Sequence, residues 1–484
     1  GIARLTGNTN ALKNVQTHAL MLFTPKYGHS HDDALSMTLH AYGVEVLPDL
    51  GYTHTYNRAW TISTFSHNTV TVNKMDSRSK DGGNILRFVP SNNSVGVVRA
   101  YDPEAYTEID IYDREMIFVP LQKDGPEGYV LDIFRVKGGT CHEYSLNMCA
   151  DYDYNLSTDV AWEDASETML PEGVKYVKPA SETSSGDASG HYKAYMYVQD
   201  VQSAPLENRS FSLSYEITDV MQEGAGLKIL GAKNSGTLLL GKAPSMRATR
   251  QKVEYDTNDR CDDYFMDKMV LRREGEDVSS VFVTLLEPFS RRYPSRVRKI
   301  EKLEADGLGE FDVAVKVVTE EYTDYIFSAY QEPIRVEIDS ILFQGRCGFV
   351  RVQDKKVLYM EGMDAEMLRY GELSLTENRS CEGVIQKVYA KSRKDSFNGF
   401  ATDIKPEEGL KGKYIIVMHP DGTTNGYEIK KITEEDGQFI VDIGDMEPGF
   451  QFTDEDSTEM THYPFKKREG TVRFVIYDVQ NLRP

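Results

Sequence analysis

The sequence predicts an all-β protein: a large antiparallel β-sandwich followed by a smaller all-β C-terminal domain. Apolar and polar residues alternate through most of the chain, and long stretches with a 3.6-residue period are scarce. Short alternating segments are separated at regular intervals by Gly, Asp and Asn turns, the texture of a sandwich rather than of a helical or α/β protein. The length of 484 residues exceeds one compact core and implies two or three domains. With 40% apolar residues, 29 Tyr and 20 Phe, material for those cores is ample.

In chain order, Leu35, Met37, Leu39 and Ala41 fall on one face of a strand, Tyr42-Gly43 makes a turn, and Val44 and Val46 return toward Pro48-Asp49. Residues 60–65 and 67–72 read as the next strands. Further strands are expected at 128–134, 280–286 and 311–318. The Gly/Ser-rich stretch 181–190 reads as a mobile loop inside the sandwich. From Cys381 the pattern becomes a meander, with strands at 384–389, 414–417, 427–432, 439–443 and 471–477. The expected division is therefore 1–380 for the sandwich and 381–484 for the small domain.

Composition narrows the function. A formal charge of −21 argues against general nucleic-acid binding, and no apolar run is long enough to span a membrane. Cys141, Cys149, Cys261, Cys347 and Cys381 are scattered and odd in number, which fits buried free thiols better than a disulfide framework. Basic runs at Arg291, Arg292, Arg296, Arg298 and Lys299, and at Lys466-Lys467-Arg468, read as solvated faces. The chain opens Gly-Ile-Ala-Arg without an initiator Met or signal peptide, so the gene product is expected to begin upstream.

The informative feature is histidine placement. Six of the ten histidines, His18, His29, His31, His40, His54 and His67, lie near the start of the chain. Imidazoles bind metals or move protons near neutral pH. On an extended strand His29 and His31 project together, about 7 Å apart at the backbone. The hairpin brings Asp49 back to them, and His67 can reach the same place from a third strand. Two imidazoles, a carboxylate and an open fourth position make a zinc ligand set. The favoured triad is His31, Asp49 and His67, with His29 left free beside the metal to do chemistry. The competing reading is a polar solvent face with Asp49 capping a turn, because strand register is not fixed by spacing alone. Asp32 and Asp33 either hydrogen-bond the imidazoles or cap the strand. Tyr52, Tyr56, Asn57, Arg58 and Trp60 crowd between Asp49 and His67, as in a sugar-binding cleft or equally a sheet rim. Tyr52, Tyr56 and Arg58 are the candidate substrate contacts, whereas His40 and His54 read as surface residues.

The ordered combination Tyr27-Gly-His-Ser-His-Asp-Asp-Ala-Leu-Ser36, Leu47-Pro-Asp-Leu-Gly51 and Ser66-His-Asn-Thr-Val70 closely resembles the heparinase II/III-like polysaccharide lyases. The resemblance continues at 131–139 and His142, fades through the middle, and returns as architecture in the C-terminal meander. It implies a chain equivalent to the family's central sandwich and small β domain, without the N-terminal α/α toroid. It also implies one structural zinc per chain on His31, Asp49 and His67, and His29 as a catalytic residue at the toroid–sandwich boundary. The implied reaction is β-elimination from an acidic, uronic-acid-containing polysaccharide, which needs C5 deprotonation, carboxylate neutralisation and leaving-group protonation. A heparin or heparan sulfate-type glycosaminoglycan is the favoured substrate, with alginate or oligoalginate as the alternative. The family's other catalytic residues reside on the toroid, so this chain alone is expected to be inactive or nearly so. A periplasmic or secreted location follows from the resemblance. From other classes, a non-catalytic carbohydrate-binding sandwich and a metal-dependent hydrolase also stay open.

Overall fold

A computed structural model describes the chain apart from residues 8–14, 25–29, 80–81, 92–93, 123–124, 176–191, 223, 252–257, 377–378, 405–407, 436 and 463–464. Strand makes up 56% of the described residues and helix 6%, so the fold class is all-β, as its alternation predicts. Two compact units form, Gly1–Gly83 with Ser91–Lys302, and Asn84–Pro90 with Leu303–Pro484. This division does not coincide with the one expected at 380/381. Position 381 instead marks a change of sheet inside the second unit. Strands from Val313 to Thr376 share a sheet to which the last strand, Val479–Leu482, returns, while seven of the strands between Cys381 and Ile476 form a separate sheet and Phe450–Asp454, Ser457–Met460 and Lys467–Glu469 a small third one. The first sheet carries a core that includes Phe327, Phe343, Met360 and Leu368. The second is built around Phe400, Ile415, Val441 and Phe474.

The first unit opens with four antiparallel strands paired in chain order: β1 (Ile2–Thr6), β2 (His18–Leu22), β3 (Met37–Ala41) and β4 (Val44–Leu47). In β3 the side chains alternate, with Met37, Leu39 and Ala41 buried and Thr38 and His40 half-buried. Tyr42 at φ +53° and Gly43 at φ +81° form the tight link to β4, both in the left-handed region that a two-residue hairpin turn needs. A larger antiparallel sheet follows, beginning with β5 (Val70–Val72) and continuing in spatial order through Cys141–Asn147, Phe265–Glu274, Gly226–Pro244, Ser279–Phe289, Gly128–Lys137, Ile111–Pro120 and Gly96–Tyr101.

Several of these strands are buried along almost their whole length, so their charged residues must find partners inside. Arg114 holds Asp132 through two hydrogen bonds of 2.8 and 2.7 Å, and the Tyr144 hydroxyl donates to the same carboxylate at 2.7 Å. Arg99 and Arg135 both converge on Asp113, and Arg135 also reaches Glu115. Arg114 donates further to the backbone carbonyls of Leu35 and Asn68, at 2.8 and 2.5 Å. One buried guanidinium thereby ties two loops to the large sheet, and those loops carry the histidines.

Three local expectations are corrected. His31 is not on a strand, since the chain from 30 to 36 is loop and turn and β3 starts at Met37. Residues 60–65 are not a strand either, because Arg58–Thr61 is a single helical turn and Thr64–Ser66 a 3₁₀ turn. Short hydroxyl side chains explain the difference by bonding nearby carbonyls in place of a ladder: Ser63 to Trp60 at 2.7 Å, Ser66 to Ser63 at 2.8 Å and Thr64 to Asp32 at 2.6 Å. The strand expected at 427–432 is two strands, Thr424–Glu428 and Lys431–Glu435. The strands expected at 128–134, 280–286 and 311–318 form as Gly128–Lys137, Ser279–Phe289 and Val313–Thr319. The 181–190 loop lies outside the described residues. All five cysteines are free, four of them buried. Among the described residues no helix is long and apolar enough to cross a membrane.

Candidate metal centre

His31, Asp33, Asp49 and His67 come together with one donor atom from each within 4.8 Å of all the others. They arrive on three loops, His31 and Asp33 together before β3. Asp49 follows β4, and its carboxylate accepts a 2.7 Å bond from the Gly51 amide, with Gly51 at φ +73° making the bend. The Asp49 carbonyl accepts from Arg250, whose guanidinium is itself fixed by Asp151 at 2.9 and 2.8 Å and by Glu45 at 2.6 Å. His67 follows the 3₁₀ turn, fully buried, and its Nδ1 faces the Ser63 carbonyl at 2.7 Å. That carbonyl accepts a hydrogen bond from Nδ1–H and turns Nε2 into the cluster, the arrangement in which outer partners orient a metal-ligating imidazole. His67 Nε2 lies 3.0 Å from His31 Nδ1 and 3.2 Å from Asp49 Oδ2.

Beneath the cluster a second polar layer positions the loops. Asn68 donates to the carbonyls of Met37 and Pro48 at 2.9 and 2.8 Å. It accepts from the Asn147 amide at 2.7 Å, and the Asn147 side chain donates to the Ser66 carbonyl at 2.7 Å. Lys268, entirely buried against Phe65 and Trp60, donates to Asn147 Oδ1 at 3.0 Å. Burial pushes this ammonium down to about 7.

The electrostatics fit a cation. Burial opposes charge on His67, but the Asp49 and Asp33 carboxylates outweigh it and raise the imidazole to about 9. Asp49 is held below the usual carboxylate range, since the two imidazoles and the Gly51 amide overcome its burial. Burial raises Asp33, with Asp49 adding to the shift. Burial and the neighbouring His67 lower His31. A proton on His67 thus holds the place that a metal ion would take. The cluster is near the size one needs, because a tetrahedral ion about 2.0–2.2 Å from N and O donors places those donors roughly 3.3–3.6 Å apart, a little beyond the 3.0 and 3.2 Å from His67 to His31 and Asp49. Two imidazole nitrogens and two carboxylates are a donor set for zinc.

All three members of the expected triad meet. Asp33, read from sequence as a supporting group or cap, joins them, so the position expected to stay open has a fourth protein donor beside it. The missed signal is spacing: Asp33 stands two residues after His31, as His31 stands two after His29. Asp32 instead acts through its backbone, its amide donating to Ile62 and its carbonyl accepting from Thr64. His29 lies outside the described residues.

The expected substrate contacts separate into two groups. Tyr52 stacks on His31 with ring centres 6.2 Å apart and carries the Arg58 guanidinium over its face at 4.6 Å. It also lines a cleft of about 420 Å³ with Gly51, Tyr152, Thr249, Arg250 and Gln251. Tyr56 is engaged elsewhere, its hydroxyl donating to Asp262 at 3.1 Å and its amide to Asn258 at 2.8 Å. Of the two histidines read as surface residues, His54 is exposed at the edge of Tyr52, while His40 is half-buried beside His18. Arg114 and Arg250, which hold the ligand loops, had no recognisable signal in the sequence.

Residues 1–114 match the family model described as Heparinase II/III-like, C-terminal, and all four clustered residues fall inside that segment. The likeness to this family is therefore one of the first 114 residues, the segment that carries the cluster. Among solved structures, heparan sulfate lyase HepC from Pedobacter heparinus is similar with a TM-score of 0.42 and 14% identity, over 66% of this chain and 40% of that one. A heparinase III structure gives 0.38 and 14%, over 67% and 41%. A galactose mutarotase related enzyme from Lactobacillus acidophilus gives 0.30 and 6%, over 60% and 98%. The chain spans about two-fifths of the length of the two lyase structures. No curated protein matches the chain.

Proposed function

We propose that this chain is the sandwich portion of a polysaccharide lyase that cleaves an acidic, uronic-acid-containing polysaccharide by β-elimination. The observation that carries the reading is the convergence of His31, Asp33, Asp49 and His67 inside the segment that matches the heparinase II/III-like family. One zinc ion per chain would be held by His31, Asp49 and His67, with Asp33 as the fourth donor. With four protein donors the ion is structural, since a catalytic zinc keeps a position open for water or substrate. That argues against the hydrolase reading, which needs a metal-bound water.

The ion would supply rigidity, cross-linking three loops that otherwise depend on hydrogen bonds to carbonyls. The chemistry then falls to the chain's own groups around it. Arg58 on the face of Tyr52 offers a cation for a substrate carboxylate, and Tyr52 lines the adjoining cleft. A glycosaminoglycan of the heparan sulfate type is the favoured substrate and alginate the alternative. A base and an acid on the toroid expected upstream would complete the site, and a periplasmic or secreted location suits such a substrate.

The test is an assay of the full-length protein for unsaturated uronate on heparan sulfate and on alginate, beside an Arg58→Ala variant. Ultraviolet-absorbing product from one polymer, with kcat/KM lowered in the variant, is the expected result. Absence of product from every uronic-acid polymer overturns the lyase reading in favour of a binding sandwich.

A further inference from the structure

Charge is distributed unevenly at the start of the chain. Asp and Glu number 76 in all, yet none occurs before Asp32, so β1 and β2 carry no acidic side chain. The four-stranded sheet buries one face, with Leu5, Ala19, Met21 and Leu39 inward. The opposite face holds Arg4, Thr6, His18 and His40. Register brings these together: Thr6 stands opposite His18, His18 opposite His40, and Arg4 two residues before Thr6 on the same side. The two imidazole centres lie 6.1 Å apart, and the Thr6 hydroxyl meets His18 Nδ1 at 3.3 Å. Arg4 is exposed and both histidines are partly exposed, so the row is open to solvent.

The row lacks a counter-charge. Among the described residues Arg4, His18 and His40 form no ion pair. Thr38 shares the face without charge, and Glu45, opposite His40 on β4, directs its carboxylate to Arg250 at 2.6 Å. Burial lowers His18, and the Arg4 and His40 charges lower it further, while burial alone lowers His40. Like charges opposite each other on paired strands destabilise the sheet, and an anion on the face would relieve them. Guanidinium, imidazole and hydroxyl donors together suit the oxygens of sulfate esters or carboxylates. Strands stand about 4.8 Å apart, so the row from β1 to β3 is roughly 10 Å wide, which suits successive anionic groups on a polymer. Ile2, Leu20 and Leu22 adjoin it on the same face, exposed or partly exposed, and can pack the C–H faces of sugar rings. The row also leads to the cleft beside Tyr52, because Arg250, the partner of Glu45, lines that cleft.

We infer that Arg4, His18 and His40 hold an acidic polysaccharide beyond the cleft, by the sulfate or carboxylate groups of units outside the one being cleaved. The choice of a polysaccharide rests on the lyase reading; the cationic face does not.

Fluorescence anisotropy of the whole chain with long, end-labelled heparan sulfate and alginate oligosaccharides tests it, with duplex DNA of equal charge as a comparison. At least one polysaccharide should bind. Arg4→Gln changes an exposed side chain and should weaken binding about tenfold, while zinc content and thermal stability match the unaltered chain. Binding should strengthen as pH falls from about 7.5 to 5.5, because an anion favours the protonated imidazoles, and His18→Gln with His40→Gln should flatten that rise. Cleavage is read separately, as unsaturated uronate from the full-length protein. Product with unchanged binding in Arg4→Gln overturns this inference alone, whereas Arg4-dependent binding without product overturns only the lyase reading. The inference also falls if no acidic polysaccharide binds, or if the DNA binds as tightly as the best of them.

Discussion

The loops around His31 and His67 and the seven-stranded sheet from Cys381 to Ile476 are built by opposite means. In the sheet, apolar side chains alternate along short strands and meet in one core, and hairpin pairing does the rest. Around the histidines almost nothing alternates. Hydroxyl, amide and guanidinium groups bond backbone carbonyls, and a buried Arg114 holds two loops at once. One region rests on burial of apolar area, the other on satisfied buried polar groups. The difference predicts which substitutions each will tolerate.

The largest effects should come from the polar scaffold. Arg114→Met leaves Asp132 charged, buried and unpaired, and should cost about 3–5 kcal/mol in a denaturant titration. It should also lower zinc affinity, because the Leu35 and Asn68 carbonyls lose their clamp. Phe474→Ala in the seven-stranded sheet should cost a similar 3–5 kcal/mol, yet leave zinc affinity unchanged. Equal losses of zinc affinity in both would dissolve the contrast.

Next in size is the metal itself. At zinc a thousandfold above its Kd, binding should stabilise the chain by about 4 kcal/mol, a gain that chelator or His67→Ala removes. Binding should weaken as pH falls below about 9, because the ion must displace the proton that Asp49 and Asp33 hold on His67. A pH-independent affinity between 6 and 9 would contradict that placement of the proton.

Lys268 should add a pH dependence in the same direction. Its folded-state value of about 7 lies below the roughly 10.4 of an unfolded lysine. The penalty for burying it is therefore complete below pH 7 and fades as pH rises toward 10. Stability measured across that window should rise, and Lys268→Met should flatten the rise. The smallest expected change is Thr64→Val, which loses the bond to the Asp32 carbonyl and should cost about 1 kcal/mol.

The same contrast explains what could be read from the sequence. The long strands at 128–137, 279–289 and 313–319 and the Tyr42-Gly43 turn were legible because alternation and turn residues encode them locally. The stretch 60–65 looked like a strand, yet Ser63, Thr64 and Ser66 satisfy nearby carbonyls and close it into turns. The triad of His31, Asp49 and His67 was legible by residue type, although the strand assumed to carry His31 and His67 does not form there. Asp33 was seen but under-read, since loop geometry decides whether a carboxylate two residues on faces the same point. Arg114 and Arg250 could not be found, because the carbonyls they hold lie 79, 46 and 201 residues away.

Four side chains from three loops are proposed to hold one structural zinc. Elemental analysis of the purified chain, zinc-loaded and dialysed, beside His31→Ala and Asp33→Asn, tests it most directly. The expected result is about one zinc per chain, none in the histidine variant, a weakened and readily dialysed ion in the aspartate variant, and thermal stability that falls with metal content. Absence of metal from the unaltered chain, with all three proteins equally stable, would contradict it.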